Sequence, residues 1–513
     1  MNRQIQITIP YGCNLAQAIC QQETSLQPEQ ISDVRIIKRS IDARQRHKAI
    51  REILTLEYAL DGEKLHRPTL EDTPTCQQIQ RLQTQKPATD PIIIVGAGPA
   101  GLLCAYTLSR AGIPVEVIEQ GNAVEQRQRD VQTFWQGGEL KPQSNVQFGE
   151  GGAGTFSDGK LTTRIKSPHR DFILQLLVQS GAPENILWDA KPHVGTDILQ
   201  KVLQRLRREL VDQGVIFKFG SHFQGLCWHA EAHQAIIDGI ARPFNRLVLA
   251  VGNSARSTFQ QLRKPLQLES KPLAIGVRIE HPRNLIDKRQ YGKWHQQMPA
   301  AEYQLRTSCA QRGVYSFCMC PGGIVVNASS EPEHVCVNGM SYHNRQSPYS
   351  NSAIVVTVDQ KDFASSAPLA GMEYQRHIEA ACFRASGSYA PPAMGAMDFI
   401  QQRHATSYAT STAPHAHFCN IAPLLPAPVV QALRLALPVF QQKIPGFIEE
   451  GVLIAPETRT SSPVRFPRDP VARHSTVSHR IFPCGEGAGY AGGIVSAAVD
   501  GVNTAMAILT QTP

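Results

Sequence analysis

Residues 92–119, IIIVGAGPAGLLCAYTLSRAGIPVEVIE, contain every element that a dinucleotide-binding βαβ unit requires. Residues 92–95 are apolar and β-branched, which predicts a buried parallel strand. The next five small residues allow a tight turn, close approach of the backbone to a pyrophosphate, and close helix packing. These predicted cofactor contacts are Gly96, Gly98, Pro99, Ala100 and Gly101. The helix that follows directs its free N–H groups and its positive dipole end at the phosphates.

An acidic residue closes the second predicted strand of this unit. Residues 114–118 form that strand, and Glu119 follows where a carboxylate accepts hydrogen bonds from a ribose 2′-hydroxyl. The same charge repels the 2′-phosphate of NADP. We also expect Gln120 and Arg127 to contact the cofactor. A bare GxGxxG is weak evidence, but two strands, a helix and an acid in register predict a bound flavin or nicotinamide dinucleotide.

A second signal lies near the end of the chain, at residues 480–498, RIFPCGEGAGYAGGIVSAA. It resembles the late motif of two-dinucleotide-fold flavoproteins of the glutathione-reductase-like superfamily. The resemblance implies that the acid binds the ribityl chain or pyrophosphate, and that the next helix points its N-terminus at the pyrimidine edge of the isoalloxazine. A helix N-terminus stabilises an anion such as reduced flavin by about 0.3–2 kcal/mol. The predicted contacts are Gly485, Glu486, Gly493 and Ile494.

Two further glycine-containing segments are candidates for the same site. Residues 247–252, LVLAVG, resemble the strand that closes the flavin site from the other side and ends at Gly252. Residues 148–160, FGEGGAGTFSDGK, follow no hydrophobic strand, so they do not form a second dinucleotide-binding unit. We expect this loop to lie against the first cofactor, with contacts from Gly152 and Gly154, because glycine permits close approach. Because the sequence contains only one dinucleotide-binding unit, NAD(P)H is expected to bind only transiently.

Composition excludes several other classes of protein. The net charge of +8 over 513 residues is not gathered into runs, which argues against nucleic acid as a partner. No stretch reaches the roughly 20 apolar residues that span a bilayer, and no apolar leader follows Met1, so a cytoplasmic location is expected. No metal site is predicted. The partner is a small-molecule substrate, and the sequence does not indicate the oligomeric state.

Two of the twelve cysteines stand close together, in Cys318-Met319-Cys320. CxC is neither the CxxC of thioredoxin-like oxidoreductases nor, without a second pair, a zinc site. If the segment is a strand, residues i and i+2 share a face, so both thiols can reach a cofactor or a substrate. The alternative is that both are small buried apolar residues.

The order of patterns predicts an α/β fold in which a Rossmann-type FAD-binding domain is split by an inserted α+β sheet domain. An N-terminal α+β module of order β-α-β-β precedes it, with an exposed charged turn at 38–44 and a polar linker at 77–90. A helix over 197–213, capped by Thr196, lies within the first part of the FAD-binding domain. The predicted boundaries are 1–88 for the module, 89–270 and 447–513 for the split domain, and 271–446 for the insertion.

Taken together, the motifs resemble the family described as uncharacterised FAD-dependent proteins or NAD(FAD)-utilising dehydrogenases, over nearly the whole length. The segments that carry this likeness are 38–44 KRSIDAR, 193–199 HVGTDIL, 249–258 LAVGNSARST, 275–281 IGVRIEH, 315–323 YSFCMCPGG, 457–465 ETRTSSPVR and the terminal GEGAGYAGGI. The resemblance implies FAD as cofactor and does not specify a substrate. Asn253 departs from the pattern, since the family more usually has histidine there, and Ser257 replaces an acid.

Candidate catalytic residues follow from these motifs. His193 and His281 are candidate acids or bases because imidazole titrates near neutrality. Asn253 can only donate or accept a hydrogen bond. Four arginines in the motifs can bind a carboxylate or phosphate of an anionic substrate, or can instead form structural ion pairs. These are Arg256, Arg278, Arg459 and Arg465.

Three classes of function fit the sequence. The first is an FAD-dependent oxidoreductase that transfers a hydride between the isoalloxazine and an organic substrate, with electrons from NAD(P)H or from the substrate itself. The second is a flavin monooxygenase or a geranylgeranyl-reductase-like enzyme. The third is a flavin-bearing sensor or binding protein without turnover, in which no reductant reaches the flavin.

Overall fold

A computed structural model describes residues 3–83, 90–228 and 233–511 of the chain. Its N-terminal module is a three-stranded antiparallel sheet with one helix. The strand order is β1-β3-β2, and apolar residues of all four elements form its core. The elements are β1 (Arg3–Pro10), α1 (Leu15–Gln22), β2 (Ile31–Asp42) and β3 (Arg51–Leu60). The side chain of Asn14 caps α1 by accepting a hydrogen bond from the Gln17 N–H at 3.2 Å. The predicted β-α-β-β order is confirmed.

Two expectations for this end of the chain are wrong. Residues 38–42 are not a turn but the last part of β2, because they pair with β3 and Arg39 reaches Glu52 across the sheet at 2.7 Å. The predicted linker begins within the helix α2 (Pro74–Arg81), whose Cys76 and Ile79 are buried in the core of the next domain, and its residues 84–89 lie outside the described residues. The module therefore ends before this helix rather than at residue 88.

A five-stranded parallel sheet forms the next domain, in the order β22-β10-β4-β5-β6. Its strands are β4 (Ile92–Val95), β5 (Val115–Glu119), β6 (Ile216–Phe219), β10 (Leu247–Leu249) and β22 (Ile481–Pro483). The accompanying helices are α3 (Pro99–Arg110), α4 (Val124–Trp135), α5 (Arg170–Gln179), α6 (Thr196–Asp212), α7 (Arg256–Leu262) and α12 (Ile494–Thr510). An antiparallel meander precedes β10 and consists of β7 (Phe223–Trp228), β8 (His233–Ile237) and β9 (Ile240–Pro243).

The predicted cap of helix α6 is wrong. Thr196 is the first residue of the helix, and Gly195, with φ of +83°, occupies the cap position. The Thr196 hydroxyl instead donates a hydrogen bond to the carbonyl of Thr155 at 2.6 Å. The side chain that the sequence assigns to the helix end therefore anchors the glycine-rich loop.

The inserted domain is built on a seven-stranded sheet of order β13-β14-β17-β12-β20-β18-β19. Its strands are β12 (Leu273–Pro282), β13 (Arg306–Cys309), β14 (Arg312–Cys320), β17 (Tyr349–Val358), β18 (Pro392–Gly395), β19 (His417–Phe418) and β20 (Val452–Glu457). The helices are α8 (Arg283–Tyr291), α9 (Ala370–Ser386), α10 (Ala396–Gln401) and α11 (Ala427–Lys443). Two-stranded ribbons are formed by β15 (Ile324–Asn327) with β16 (Val337–Met340), and by β11 (Glu269–Ser270) with β21 (Val464–Arg465).

The predicted return to the FAD-binding domain at residue 447 is too early. Strand β20 lies between β12 and β18 in the second sheet, and its Leu453 and Ile454 are completely buried there. The chain rejoins the parallel sheet only at β22. With this boundary moved, the fold class is confirmed as an α/β Rossmann-type domain, split by an inserted sheet domain and preceded by a small α+β module. None of the helices in the described ranges is long and apolar enough to cross a membrane.

The first prediction concerns the third glycine of the fingerprint. A Cβ on Gly101 would lie 1.9 Å from the Gly96 carbonyl oxygen, so helix α3 must move away from the turn to make room. We expect Gly101→Ala to lower the free energy of unfolding by about 1–3 kcal/mol. Thermal unfolding of the cofactor-free protein measures this loss.

Gly98→Ala is the matched control, because a Cβ at Gly98 would meet only the Gly152 Cα, at 3.8 Å, and its φ of −79° suits alanine. This variant should unfold at the wild-type temperature but bind the dinucleotide more weakly. Equal stability of Gly101→Ala and wild type would contradict the packing argument.

Candidate functional site

A cavity of about 1580 Å³ lies between the carboxyl ends of the parallel strands and the seven-stranded sheet. The residues that follow β4, β5, β10 and β22 all line it, among them Gly96, Glu119, Gly252 and Glu486. In open α/β sheets, ligands bind at this edge, outside the carboxyl ends of the strands. The cavity exceeds the about 300–1,000 Å³ of typical small-molecule sites, so it has room for a cofactor and a second molecule.

The Glu119 carboxylate organises the dinucleotide turn. Its oxygens accept hydrogen bonds from the N–H groups of Ala97 at 2.9 Å, Gly121 at 2.9 Å and Gly149 at 3.0 Å. Each carboxylate oxygen accepts more than one hydrogen bond, so capacity remains for a ribose hydroxyl. Glu119 lines the cavity together with its neighbour Gln120, as predicted.

The glycine-rich loop covers the fingerprint turn. The Gly151 N–H donates to the Ala97 carbonyl at 2.8 Å, and a Cβ on Gly152 would lie 3.3 Å from the Gly98 Cα. A Cβ on Gly154 would lie 2.9 Å from the side chain of Ile494, at the start of α12. The loop therefore packs against both dinucleotide motifs, and both Gly152 and Gly154 line the cavity.

Arg127 does not contact the cavity, which corrects the prediction that it binds the cofactor. Its completely buried guanidinium donates hydrogen bonds to the carbonyls of Asn145, Val146 and Glu150 at 2.6–2.9 Å, and to the Gly149 carbonyl at 3.3 Å. Burial lowers the pKa of Arg127 to about 10. The arginine fixes the loop from behind, so its effect on a ligand acts through the backbone.

The late motif contributes a buried acid and a helix N-terminus. The Glu486 carboxylate accepts a hydrogen bond from the Asn253 amide at 2.8 Å and another from the Gly493 N–H. Burial raises the pKa of Glu486 to about 7, although these hydrogen bonds and the charge of Lys271 act to lower it. Asn253, the departure from the family pattern, thus holds the acid that the motif places beside the cofactor.

Several glycines leave open space where a ligand must approach the backbone. A Cβ on Gly252, Gly492 or Gly493 would meet no protein atom within 4 Å, and these three residues line the cavity. Helix α12 starts at the same place, and the N–H groups of a first helical turn have no partner within the helix. Open backbone, unpaired N–H donors and a buried acid fit the ribityl chain and ring system of FAD.

Most residues predicted to bind the cofactor line this cavity, together with Asn253. They are Gly96, Gly98, Pro99, Ala100, Glu119, Gln120, Gly152, Gly154, Gly252, Asn253, Glu486, Gly493 and Ile494. Two other glycines act behind its wall. Gly101 permits helix packing, as shown above, and Gly485, with φ of +77°, donates its N–H to the Asp500 carboxylate at 2.7 Å.

The two candidate histidines lie away from the cavity, which is a correction to their proposed acid–base role. His281 is completely buried, bonds the Phe447 carbonyl at 2.8 Å, and has its pKa lowered to about 4 by burial. His193 bonds the His343 carbonyl at 3.0 Å and stacks on that ring at 5.4 Å; burial lowers its pKa too. Each side chain instead links two distant segments of the chain through its hydrogen bond to a backbone carbonyl.

The arginines of the motifs are also engaged elsewhere. Arg256 and Arg459 both bind the buried carboxylate of Glu379 at 2.8 Å, and only Arg459 also lines the cavity. Arg278 is completely buried and pairs with Glu457 at 3.2 Å. Arg465 lies over the ring of Tyr490. The arginines chosen from the sequence are therefore structural in three cases of four, and the proposed catalytic role of Arg256 is not supported.

Other cations line the cavity that the sequence did not single out. Lys271, Arg164 and Arg306 have no ion pair within the described residues. Burial and the nearby charge of Arg465 lower the pKa of Lys271, while Glu486 opposes them. No motif marks these residues, because they come from the segment between β11 and β12, from a loop and from β13, which only the tertiary fold brings together.

A pH prediction follows for Glu486. Its pKa of about 7 in the folded protein exceeds the value of about 4.3 expected in the unfolded chain, so folding favours the neutral carboxyl. The stability it contributes is complete below pH 4.3 and is lost as the pH rises through 7. The glutamine of Glu486→Gln cannot ionise. In the cofactor-free protein, the stability of this variant relative to wild type should therefore increase from pH 5 to pH 8.

Thermal unfolding at the two pH values measures this gain. Glu450→Gln, at an exposed position, is the control and should show the same difference from wild type at both. A Glu486→Gln difference that does not change with pH would contradict the burial of a neutral acid.

Comparison with known proteins found matches to family models and to solved structures. Residues 272–460 match the model described as FAD-dependent protein, C-terminal domain-like, residues 94–125 match an NAD(P)-binding Rossmann-like domain, and residues 1–59 match a domain of unknown function. Among solved structures, CtdE in complex with FAD is 11% identical, with 82% of this chain and 84% of that chain covered and a TM-score of 0.35. A ternary complex of aklavinone-11 hydroxylase with FAD and aklavinone is 12% identical, with 82% and 61% covered and a TM-score of 0.33.

A curated relative from Clostridium beijerinckii, described as an uncharacterized protein, resembles nearly the whole chain. It is 41% identical over 514 residues, which cover 97% of this chain and 96% of the relative. The match to the FAD-dependent model indicates FAD as the cofactor. The chain therefore belongs to the same family as the Clostridium protein, a family of FAD-dependent proteins.

Proposed function

We propose that this protein is an FAD-dependent oxidoreductase that transfers a hydride between the isoalloxazine and an anionic organic substrate. The observation that carries the proposal is the continuous cavity, which joins the dinucleotide motifs to the wall of the seven-stranded sheet. FAD supplies a two-electron redox centre. The residues of the chain hold it in place and provide space beside it for a second molecule.

The charges of the cavity support an anionic substrate. Lys271, Arg164 and Arg306 present cations that no protein carboxylate neutralises in the part of the chain that the structure describes. Arg164 and Arg306 are exposed, whereas Lys271 is half-buried, and a half-buried cation attracts a carboxylate or phosphate more strongly than one in bulk water because the effective dielectric constant is lower. We assign Lys271 to the end of the substrate nearest the flavin, since it also senses the charge of Glu486.

A helix terminus and a lysine act together on the reduced cofactor. The N-terminus of α12 and the ammonium group of Lys271 both favour negative charge, which reduced flavin carries. The placement of this chain in the glutathione-reductase-like superfamily and the use of NAD(P)H as electron donor belong to the same proposal. NAD(P)H would share the substrate side of the cavity, because the fingerprint turn is taken by FAD.

The spectrum of the purified protein tests the proposal. We expect oxidised FAD to be bound and to lose its visible absorbance when NADH or NADPH is added anaerobically. A protein without affinity for FAD, or a bound flavin that neither nicotinamide nor any organic acid reduces, would overturn it. Substrate-dependent consumption of oxygen with hydroxylated product would instead identify a monooxygenase.

A second prediction concerns the midpoint potential of the bound flavin. Lys271→Met removes a cation beside the reduced cofactor, so the potential should fall by about 10–40 mV, equivalent to roughly 0.5–2 kcal/mol for two electrons. Lys264→Met, at an exposed position outside the cavity, is the control and should leave the potential unchanged. Equal potentials in both variants would place Lys271 away from the ring.

A further inference from the structure

The CxC segment does not form a regular strand. Strand β14 ends at Cys320, and its pairing with β17 shifts register between Phe317 and Cys320. Cys318, in the middle of this irregularity, has φ of +42°, a left-handed conformation that is uncommon for a residue with a side chain. Backbone of this kind persists only where the surrounding structure holds it in place, and it occurs often at functional sites.

The distortion brings the two thiols together with unequal access to solvent. The thiols of Cys318 and Cys320 are close enough that each shifts the pKa of the other, in opposite directions. The Cys320 thiol also lies 3.4 Å from the Cys318 carbonyl and is completely buried. Cys318 is partly exposed and lines the cavity. One thiol is thus open to a ligand, and the other stands behind it.

Two cations hold the backbone of this segment. The Arg278 guanidinium donates to the Cys318 carbonyl at 2.6 Å, and the Lys160 ammonium donates to the Met319 carbonyl. These bonds fix the turn at Cys318 and place positive charge beside its sulfur. Positive charge of this kind is typical of reactive cysteines, because the thiolate is the nucleophile.

The electrostatic balance favours the thiolate at Cys318. The hydrogen bond from Cys320 lowers the pKa of Cys318 to about 6, burial opposes it, Arg278 and Lys160 lower it further, and Asp158 raises it. The pKa of Cys320 is raised well above its ordinary value by the same hydrogen bond and by burial. Burial is the main cause that raises the pKa values of Glu457 and Glu486, two carboxyls that also line the cavity, and the negative charge of Cys318 adds to it.

We propose that Cys318 and Cys320 form a second redox centre in the cavity, a dithiol that reacts with small disulfides, with Cys318 as the attacking thiol and Cys320 as the resolving thiol. No disulfide joins Cys318 and Cys320 in the structure, so the geometry described here is that of the dithiol. The inference depends only on residues of the chain and goes beyond the flavin reaction proposed above.

The reaction balances as two thiol–disulfide exchanges. The Cys318 thiolate attacks one sulfur of the external disulfide, a mixed disulfide forms, and the first external thiolate leaves and takes up a proton. The Cys320 thiol then loses its proton and attacks the Cys318 sulfur, so that the internal disulfide forms and the second external thiolate leaves. One disulfide is reduced to two thiols, and the protein dithiol is oxidised by two electrons.

Peptide mass spectrometry of the flavin-containing protein tests the pair, with 2-hydroxyethyl disulfide as the probe. After incubation and alkylation, we expect the wild-type peptide that contains both cysteines to lose two alkylation sites together and two mass units. Cys320→Ser should instead retain the probe on Cys318 as a stable mixed disulfide, and Cys318→Ser should react at neither position. Alkylation of both thiols at every probe concentration would overturn the proposal.

Cys336→Ala is the matched control, since Cys336 lines the same cavity but burial raises its pKa to about 11. It should leave the reaction of the pair unchanged. Should Cys320→Ser fail to fold, the wild-type result still decides, because loss of a single alkylation site would contradict a paired reaction. The result does not depend on reduction of the flavin, so failure here and failure of the flavin proposal are separate outcomes.

The rate of alkylation against pH gives an independent readout. For wild type, the rate at Cys318 should rise with a midpoint near pH 6, the pKa of its thiol. Lys160→Met removes one of the cations that lower this pKa, so the midpoint should shift to higher pH. A midpoint above pH 8 in wild type, or no shift in the variant, would overturn the assignment of Cys318 as the attacking thiol.

Discussion

The buried carboxylate of Glu379 joins the parts of the molecule that form the cavity. It accepts hydrogen bonds from Arg256 at the start of α7, from Arg459 after β20, and from the Thr458 hydroxyl at 2.6 Å. Burial alone would raise the pKa of Glu379, but the two guanidinium groups hold it well below its usual range. A buried carboxylate without such partners lowers the stability of the fold by several kcal/mol. Helix α9, which carries Glu379, therefore depends on α7 and on the segment after β20. The arginines of two family motifs are therefore accounted for by domain assembly rather than by substrate binding.

Local patterns were sufficient for the dinucleotide half of the site. The fingerprint strand over residues 92–95 and the helix after Gly493 are in the structure where the sequence predicts them, because each depends on residues a few positions apart. Most predicted cofactor contacts line the cavity for the same reason. Arg127 is an exception, as are Gly101 and Gly485 behind the wall, since its partners are backbone carbonyls that no side-chain pattern reveals.

The substrate half could not be predicted in this way. The order of the seven-stranded sheet places β20 next to β12, although more than 160 residues separate them in the chain. Lys271 and Arg306 reach the cavity only through that order. His193 and His281 have side chains suited to proton transfer, but both lie in the interior, away from the cavity. Tertiary context, which is absent from any short window, determines which titratable groups meet a ligand.

Contacts between the two large domains hold the walls of the cavity together. Asp158 of the glycine loop binds Arg345 of the inserted domain at 2.6 Å, and the Trp135 indole donates to the Asn327 carbonyl at 2.9 Å. No residue of 3–83 lines the cavity, so the N-terminal module supports the domains from outside, with Arg39 bonded to the Trp188 carbonyl. Because the walls are already held, binding costs little ordering of the protein, and affinity depends mainly on the groups that face the ligand. On the two proposals made above, the cations and the exposed thiol on this side of the cavity select the molecule that reaches the flavin.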